Sequence, residues 1–223
     1  MSAAARARRL VIWRHGRTEW NLDGRMQGQA DVPLDEVGIR QAADAAARLA
    51  SLNPVRIVSS DLSRAAATAA ELSRLTGVDV EYDRALREID VGEWAGLTME
   101  AVVEKYPDFA EVITAGELGM RDIRRGTTGE NLTEVASRFA EALDRIVAGA
   151  GPNDTVVAVT HGLAARVGLC RWLGVPFDSW AIFGGMSNCS WTSIKLGSNG
   201  RWRIEEYNAG TLPEPVLSDD PQK

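Results

Sequence analysis

Thr155-Val-Val-Ala-Val-Thr160, running straight into His161-Gly162, decides the fold class. Six consecutive apolar or β-branched residues with no polar alternation describe a strand buried on both faces, as in a parallel sheet covered by helices. Leu10-Val-Ile-Trp13 has the same character and also opens onto a histidine and a glycine, through Arg14-His15-Gly16. Outward from these two strands the elements alternate. The Ala-rich stretch 35–52 predicts a helix stopped by Asn53-Pro54. Arg56-Ile-Val-Ser59 predicts a strand, 61–75 a helix closed by Gly77, and 78–82 a third strand. Helical patterns return over 130–147 and 162–173. Such alternation predicts an α/β fold, a three-layer α/β/α sandwich around a mostly parallel sheet. The pattern changes at the end, where 190–196 and 201–207 flank Gly197-Ser-Asn-Gly200. That is a hairpin signal and predicts an antiparallel C-terminal pair. Residues 93–129 break the alternation and predict a small helical cap inserted into a single domain, 1–210. Residues 211–223, with three prolines among acidic residues, read as a flexible tail.

The 223 residues are 45% hydrophobic and 25% charged, enough to bury a core without staples. The 31 acidic residues outweigh the 25 basic ones, for a net charge of −6. That balance argues against nucleic acid or an anionic membrane as partner, because nothing offsets phosphate repulsion. Cys170 and Cys189 make neither a disulfide framework nor a cysteine-based metal site, and read as buried reduced thiols. The basic segment Met1–Arg9 and the short apolar run stopped by Arg14 do not make a secretory signal, and the expectation is a cytoplasmic protein. Trp180, Trp191 and Trp202, on late elements, suit packing or a homodimer surface.

Only two histidines occur in the chain, and each follows a predicted buried strand and precedes a glycine. In open α/β sheets that strand edge is where ligands bind, and a following glycine lets backbone approach a ligand closely. A zinc site would want three or four ligands at matched spacing, and the chain lacks them. Gly-x-Ser-x-Gly, the P-loop and Gly-x-Gly-x-x-Gly are also absent. Cationic and polar residues accompany His15 instead: Arg14, Arg17, Asn21, Arg25 and Gln27, with Arg64 just past the second strand. The planar fork of arginine matches adjacent phosphate oxygens. One like charge at ~4 Å and an effective dielectric of ~20 costs ~4 kcal/mol. Two guanidinium groups therefore favour a neutral imidazole, which is a nucleophile. The expected chemistry is attack by His15 on a phosphorus held by Arg14 and Arg64, with His161 stabilising the phosphoryl oxygens. The leaving oxygen needs a proton, and Glu88 is the best donor, ahead of Asp90 and Glu93.

The stretch Arg14-His15-Gly16-Arg17-Thr18-Glu19-Trp20-Asn21 resembles the signature of the histidine phosphatase superfamily, the phosphoglycerate-mutase-like group. The similarity continues in order through Gly24 to Gly28, Ser59 to Arg64, Glu88, Gly92, Trp94 and Thr160-His161-Gly162. The resemblance implies a metal-independent, cofactor-free phosphomonoesterase acting on a small-molecule phosphate ester. It implies His15 as the phosphorylated nucleophile, Arg14, Arg64 and His161 as phosphoryl-binding groups, and Glu88 as proton donor and then general base. Asn21, Gln27, Gly28 and Gly162 are carried over as secondary substrate contacts. Gly129-Glu130-Asn131 departs from the family's frequent Gly-Glu-Ser. A compact segment after Gly96 suits a phosphatase, with a phosphoglycerate mutase or a broad-specificity phosphatase as the alternatives.

Near the end, 180–191 resembles the corresponding stretch of one group within the superfamily, the actinobacterial glucosyl-3-phosphoglycerate phosphatases. That implies a phosphorylated metabolite bearing a carboxylate. Arg121, Arg124 and Arg125 in the insertion are candidates to meet the second anionic group, or else form a solvated basic turn. Leu97, Met99 and Val102 either line the pocket or face the core of the cap.

Overall fold

The computed structural model describes residues 7–111 and 120–211. Strands β1 (Arg9–Arg14), β2 (Arg56–Ser59), β3 (Val80–Tyr82), β4 (Thr155–Thr160), β5 (Trp191–Leu196) and β6 (Trp202–Ala209) form one sheet, ordered β3-β2-β4-β1-β5-β6. The pairs β3–β2, β2–β4 and β4–β1 are parallel. β5 and β6 add antiparallel, as the hairpin signal predicts. The helices are α1 (Glu19–Leu22), α2 (Glu36–Ala50), α3 (Ser63–Thr76), α4 (Met99–Lys105), α5 (Leu132–Ala148) and α6 (Gly162–Trp172).

Side-chain alternation builds the three layers. Leu10, Ile12, Val156 and Ala158 point to one core, shared with Leu132, Val135, Phe139 and Leu143 of α5 and with Ala164, Val167 and Leu169 of α6. Val11, Trp13, Val157 and Val159 point to the other, shared with Ala42, Ala45, Ala46 and Leu49 of α2 and with Ala65, Ala69 and Leu72 of α3. Full burial of each Val, Leu, Ile or Phe contributes ~1.5–3 kcal/mol, so β1 and β4 are the best-anchored strands. α5 crosses α6 at Phe139 and Gly168, where an added Cβ would lie 2.2 Å from the ring.

Local chemistry sets the helix ends. Asp35 caps α2 by accepting from the Gly38 amide at 2.7 Å. Asn131 caps α5 in a reciprocal box with Glu134. Asparagine and serine are near-equivalent at this position, so the departure from Gly-Glu-Ser conserves the cap. Gly77 closes α3 at φ 71. The predicted third strand is trimmed to Val80–Tyr82, the part that finds partners on the four-residue β2.

In the region expected to be a cap, α4 buries Val102 under a Thr98 N-cap, and Trp94 is fully buried. Both join the core beneath α5, as does part of Leu97, while Met99 is exposed. Residues 112–119 of the cap and 212–223 of the tail lie outside the described residues. Both cysteines are buried, and neither is in a disulfide. No described helix is long and apolar enough to cross a membrane.

Candidate active site

β1 and β4 are neighbours in the sheet, and the helices that follow them lie on opposite faces. That divergence opens a crevice at their carboxyl ends. Arg14 stands in register with Thr160, so His15 and His161 leave the sheet level with each other. Their ring centroids are 5.1 Å apart with planes inclined at 61°.

His15 is 3% exposed and held on every side. Its carbonyl accepts from the Cys189 amide at 3.0 Å and from Asn188 Nδ2 at 3.3 Å. The next amide, Gly16, donates to Thr68 Oγ1 at 3.1 Å. Gly16 must be a glycine because a Cβ there would lie 2.4 Å from the Gly38 carbonyl oxygen. His15 Nδ1 lies 2.6 Å from the Gly16 carbonyl oxygen. A carbonyl only accepts, so Nδ1 carries the proton and Nε2 keeps its lone pair. Burial, then Arg64, then Arg14 push the His15 pKa well below its ordinary value, against the Gly16 bond. The arginines act in the direction the sequence predicts, but burial is the larger cause.

His161 is fully buried. Arg64 Nε donates to His161 Nδ1 at 3.2 Å. Guanidinium only donates, so His161 carries its proton on Nε2, which donates to Ser60 Oγ at 2.9 Å. Burial, then Arg64, then His15 and Arg14 hold its pKa well below the ordinary value. Arg64 also donates to the carbonyls of Gly28 and Ala30 at 2.7 Å each. Burial pulls the Arg64 pKa down to about 10, opposed by Glu88 and Asp31, so it stays charged at neutral pH.

Arg14 is 3% exposed and donates to the Met186 carbonyl. A Cβ on Gly162 would lie 3.3 Å from its guanidinium carbon, so Arg14 packs against the first residue of α6. Glu88 sits on the same helix end. Its Oε1 accepts from the amides of Ala164 at 2.8 Å and Ile89 at 2.9 Å, and Oε2 from the Leu163 amide at 3.1 Å. The N-terminus of a helix is a favourable seat for a carboxylate and for other anions. Two imidazoles held neutral, two guanidinium groups, a carboxylate and a helix end thus meet at one strand edge. This combination suits nucleophilic transfer of an anionic group.

Residues 10–210 match the profile of the histidine phosphatase superfamily (branch 1). The chain belongs to this superfamily. Within it, the chain is 38% identical over 222 residues to the glucosyl-3-phosphoglycerate phosphatase of Mycolicibacterium vanbaalenii, covering 92% of this chain and 96% of that one. It is 34% identical over 218 residues to a probable phosphoglycerate mutase of Yersinia pestis, covering 94% and 97%. The solved mycobacterial glucosyl-3-phosphoglycerate phosphatase complexed with VO3 superposes with a TM-score of 0.81 at 38% identity, covering 91% of this chain and 100% of that one. The superfamily fold expected from the sequence holds, and the phosphatase reading stands ahead of the mutase alternative.

The secondary contacts named from the superfamily signature divide by position. Asn21 Oδ1 accepts from Thr18 N at 3.2 Å, Thr18 Oγ1 at 3.1 Å and Asn188 Nδ2 at 3.1 Å, which fixes the orientation of its amide. Gln27 is buried, and its Oε1 has no hydrogen-bond partner among the described residues. Gly28 offers its carbonyl to Arg64. The cap arginines lie elsewhere in the contact pattern. Arg124 bonds the Gly129 carbonyl at 2.8 Å and pairs with Glu134, while Arg125 is buried on the carbonyls of Met120 and Ile123. Both secure the turn before α5. Arg121 stacks over Phe177 and, with Arg171, Thr133 and Trp180, lines a cavity of about 260 Å³ that includes neither histidine.

Asp90 and Glu93, the competitors of Glu88, are turn-formers. Asp90 accepts from the Gly92 amide at 2.9 Å. Hydrogen bonds from Thr127 pull the exposed Glu93 down to about 2. Sequence reasoning gave no role to Ser60, Asn188 or Arg138, whose partners His161, His15 and Glu88 lie far away along the chain.

Proposed function

We propose that this chain is a metal-independent phosphomonoesterase for a small carboxylate-bearing ester, glucosyl-3-phosphoglycerate or a close relative of it. The observation that carries the chemistry is the tautomer of His15: Nδ1–H is tied to the Gly16 carbonyl, so the buried Nε2 keeps its lone pair in the field of Arg64 and Arg14. In the first step Nε2 forms a bond to phosphorus and the ester P–O bond breaks. The departing alkoxide takes the proton of Glu88 in its carboxylic acid form. In the second step a water oxygen attacks phosphorus, the N–P bond breaks, and Glu88 accepts the water proton. Arg14, Arg64, the Gly162 amide and His161, whose Nε2–H turns from Ser60 Oγ to the phosphoryl group, offset the charge that develops on the phosphoryl oxygens. Asn21 and the buried Gln27 supply further polar contacts. The identity with the mycobacterial phosphatases supports the substrate class.

The test is phosphate release by wild type and His15→Ala, with chelator present. The panel holds p-nitrophenyl phosphate, 3-phosphoglycerate, glucosyl-3-phosphoglycerate, sugar phosphates and phosphoserine. The expected result is a kcat/KM for glucosyl-3-phosphoglycerate at least tenfold above the other esters, lost in the variant. Even activity across the panel contradicts the substrate, and wild-type turnover by His15→Ala contradicts the chemistry. Conversion between phosphoglycerates faster than hydrolysis would favour the mutase alternative.

A further inference from the structure

We propose that Arg138, with Glu130, is the positioning residue that holds Glu88 on the N-terminus of α6. The proposal rests on the reading of Glu88 as proton donor only for its kinetic consequence. The guanidinium of Arg138 has five N–H donors, and each meets an acceptor. Nε donates to Glu130 Oε1 at 2.7 Å, and the two Nη2 hydrogens go to Glu130 Oε2 at 2.8 Å and the Glu88 carbonyl at 2.9 Å. Nη1 donates to the carbonyls of Ala85 at 2.9 Å and Arg87 at 2.8 Å. No donor is left for a ligand, so Arg138 acts through the loop.

The recipients are the three carbonyls that lead into and include Glu88. This stretch has no strand ladder to fix it. It follows the short 3₁₀ turn Arg84–Leu86 and precedes another at Gly92–Trp94. Glu130 completes the brace. Its Oε2 accepts from the Asp90 amide at 2.9 Å, and its own amide donates to the Asp90 carbonyl at 2.8 Å. Arg138 on α5 and Glu130 just before its N-cap thus grip the backbone on both sides of Glu88, whose side chain reaches across to the amides of Leu163 and Ala164 on α6. The Arg138 side chain is 21% exposed, and the fork of five bonds depends on its planarity. A lysine ammonium has three donors around a point and cannot reproduce the set.

A misplacement of ~1 Å at a reacting group costs ~10²-fold. The kinetic test compares two esters by kcat/KM, which reports the step that cleaves the ester bond. One is 3-phosphoglycerate, whose alkoxide must be protonated; the other is dinitrophenyl phosphate, whose phenoxide leaves without a proton. Arg138→Lys should lower the first by about 10²-fold and leave the second within about threefold. Glu130→Gln, a smaller change, should discriminate in the same direction and serves if Arg138→Lys does not fold. Glu88→Gln is the control that tests the acid role itself.

The crystal structure of Arg138→Lys supplies the second readout. The Glu88 carboxylate should be displaced from the Leu163 and Ala164 amides. A carboxylate that has not moved overturns the proposal whatever the rates. Equal losses on both esters, or none, also overturn it when Glu88→Gln discriminates between them. If Glu88→Gln does not discriminate, the acid role falls, and the crystal structure alone decides whether Arg138 positions Glu88.

Discussion

The stability of this chain should fall steeply between pH 6.5 and about 5, above the range in which its paired carboxylates take up protons, and the slope there should belong to the active site. The chain has only two histidines, and both are buried in the site. Each is held below its ordinary pKa, by burial first and by Arg64 next. In the unfolded chain both return to ~6.5. A group whose folded pKa is depressed keeps its full contribution above the unfolded pKa. It loses that contribution as pH falls from there to the folded pKa. Within that interval the unfolded state binds one proton more per histidine, worth ~1.36 kcal/mol per pH unit. The two together give ~2.7 kcal/mol per pH unit, a large part of the ~5–15 kcal/mol typical of a folded protein. The assay is urea denaturation from pH 7.5 to about 5, in phosphate-free buffer, since a bound anion would add its own linkage. The perturbation is His161→Gln, which should halve the slope, and His15→Gln with His161→Gln should abolish it. A wild-type stability flat across this window, or a slope unchanged in the double variant, would refute the assignment of both imidazoles as neutral.

Arg64→Met leaves the carbonyls of Gly28 and Ala30 and the Nδ1 of His161 without their donor. At ~1–3 kcal/mol for each buried group, urea denaturation should show a loss of at least ~2 kcal/mol along with loss of turnover. A loss under ~1 kcal/mol would contradict the buried fork. Gly168→Ala drives a methyl into the Phe139 ring, which an added Cβ would approach to 2.2 Å, and should cost ~1–3 kcal/mol. Calorimetry should then show Tm lowered by ~2–4 °C per kcal/mol with kcat unchanged, and an unchanged Tm would contradict the packing. Activity after dialysis against a strong chelator should match that of the untreated enzyme, and loss of more than half of it would contradict metal-independent transfer.

The strands and long helices were legible because each carries its own signal. β1 and β4 are uniformly apolar, and α2 and α5 run for several turns with caps or stops written beside them. The short pieces were not. α1 and the turns at Arg84–Leu86 and Phe177–Ile182 are too brief for periodicity, and tertiary contacts decide them. The meeting of His15, His161, Arg14 and Arg64 was legible, since histidines and arginines at strand ends advertise the edge they occupy. Its supports were not. Asn188 bonds His15 and Asn21 across more than 160 residues of chain, and Arg138 reaches the Glu88 carbonyl across 50. Nothing in local spacing encodes such pairs. Arg124 and Arg125 show the opposite case. A basic cluster looked like an anion site, yet these two arginines are engaged with main-chain carbonyls and Glu134 around their own turn. The cause of the histidine shifts was also only half legible: charge was visible in the sequence, and burial needed the fold.

The most direct test of the phosphoryl-transfer account is to trap the enzyme during turnover. Steady-state enzyme with excess ester is quenched in alkali, where phosphohistidine survives, and mapped by peptide mass spectrometry. The account predicts a phosphoryl group on the peptide holding His15, none on the peptide holding His161, and none on either in His15→Ala. Rapid turnover with no adduct on His15, or an adduct on another residue, would contradict it.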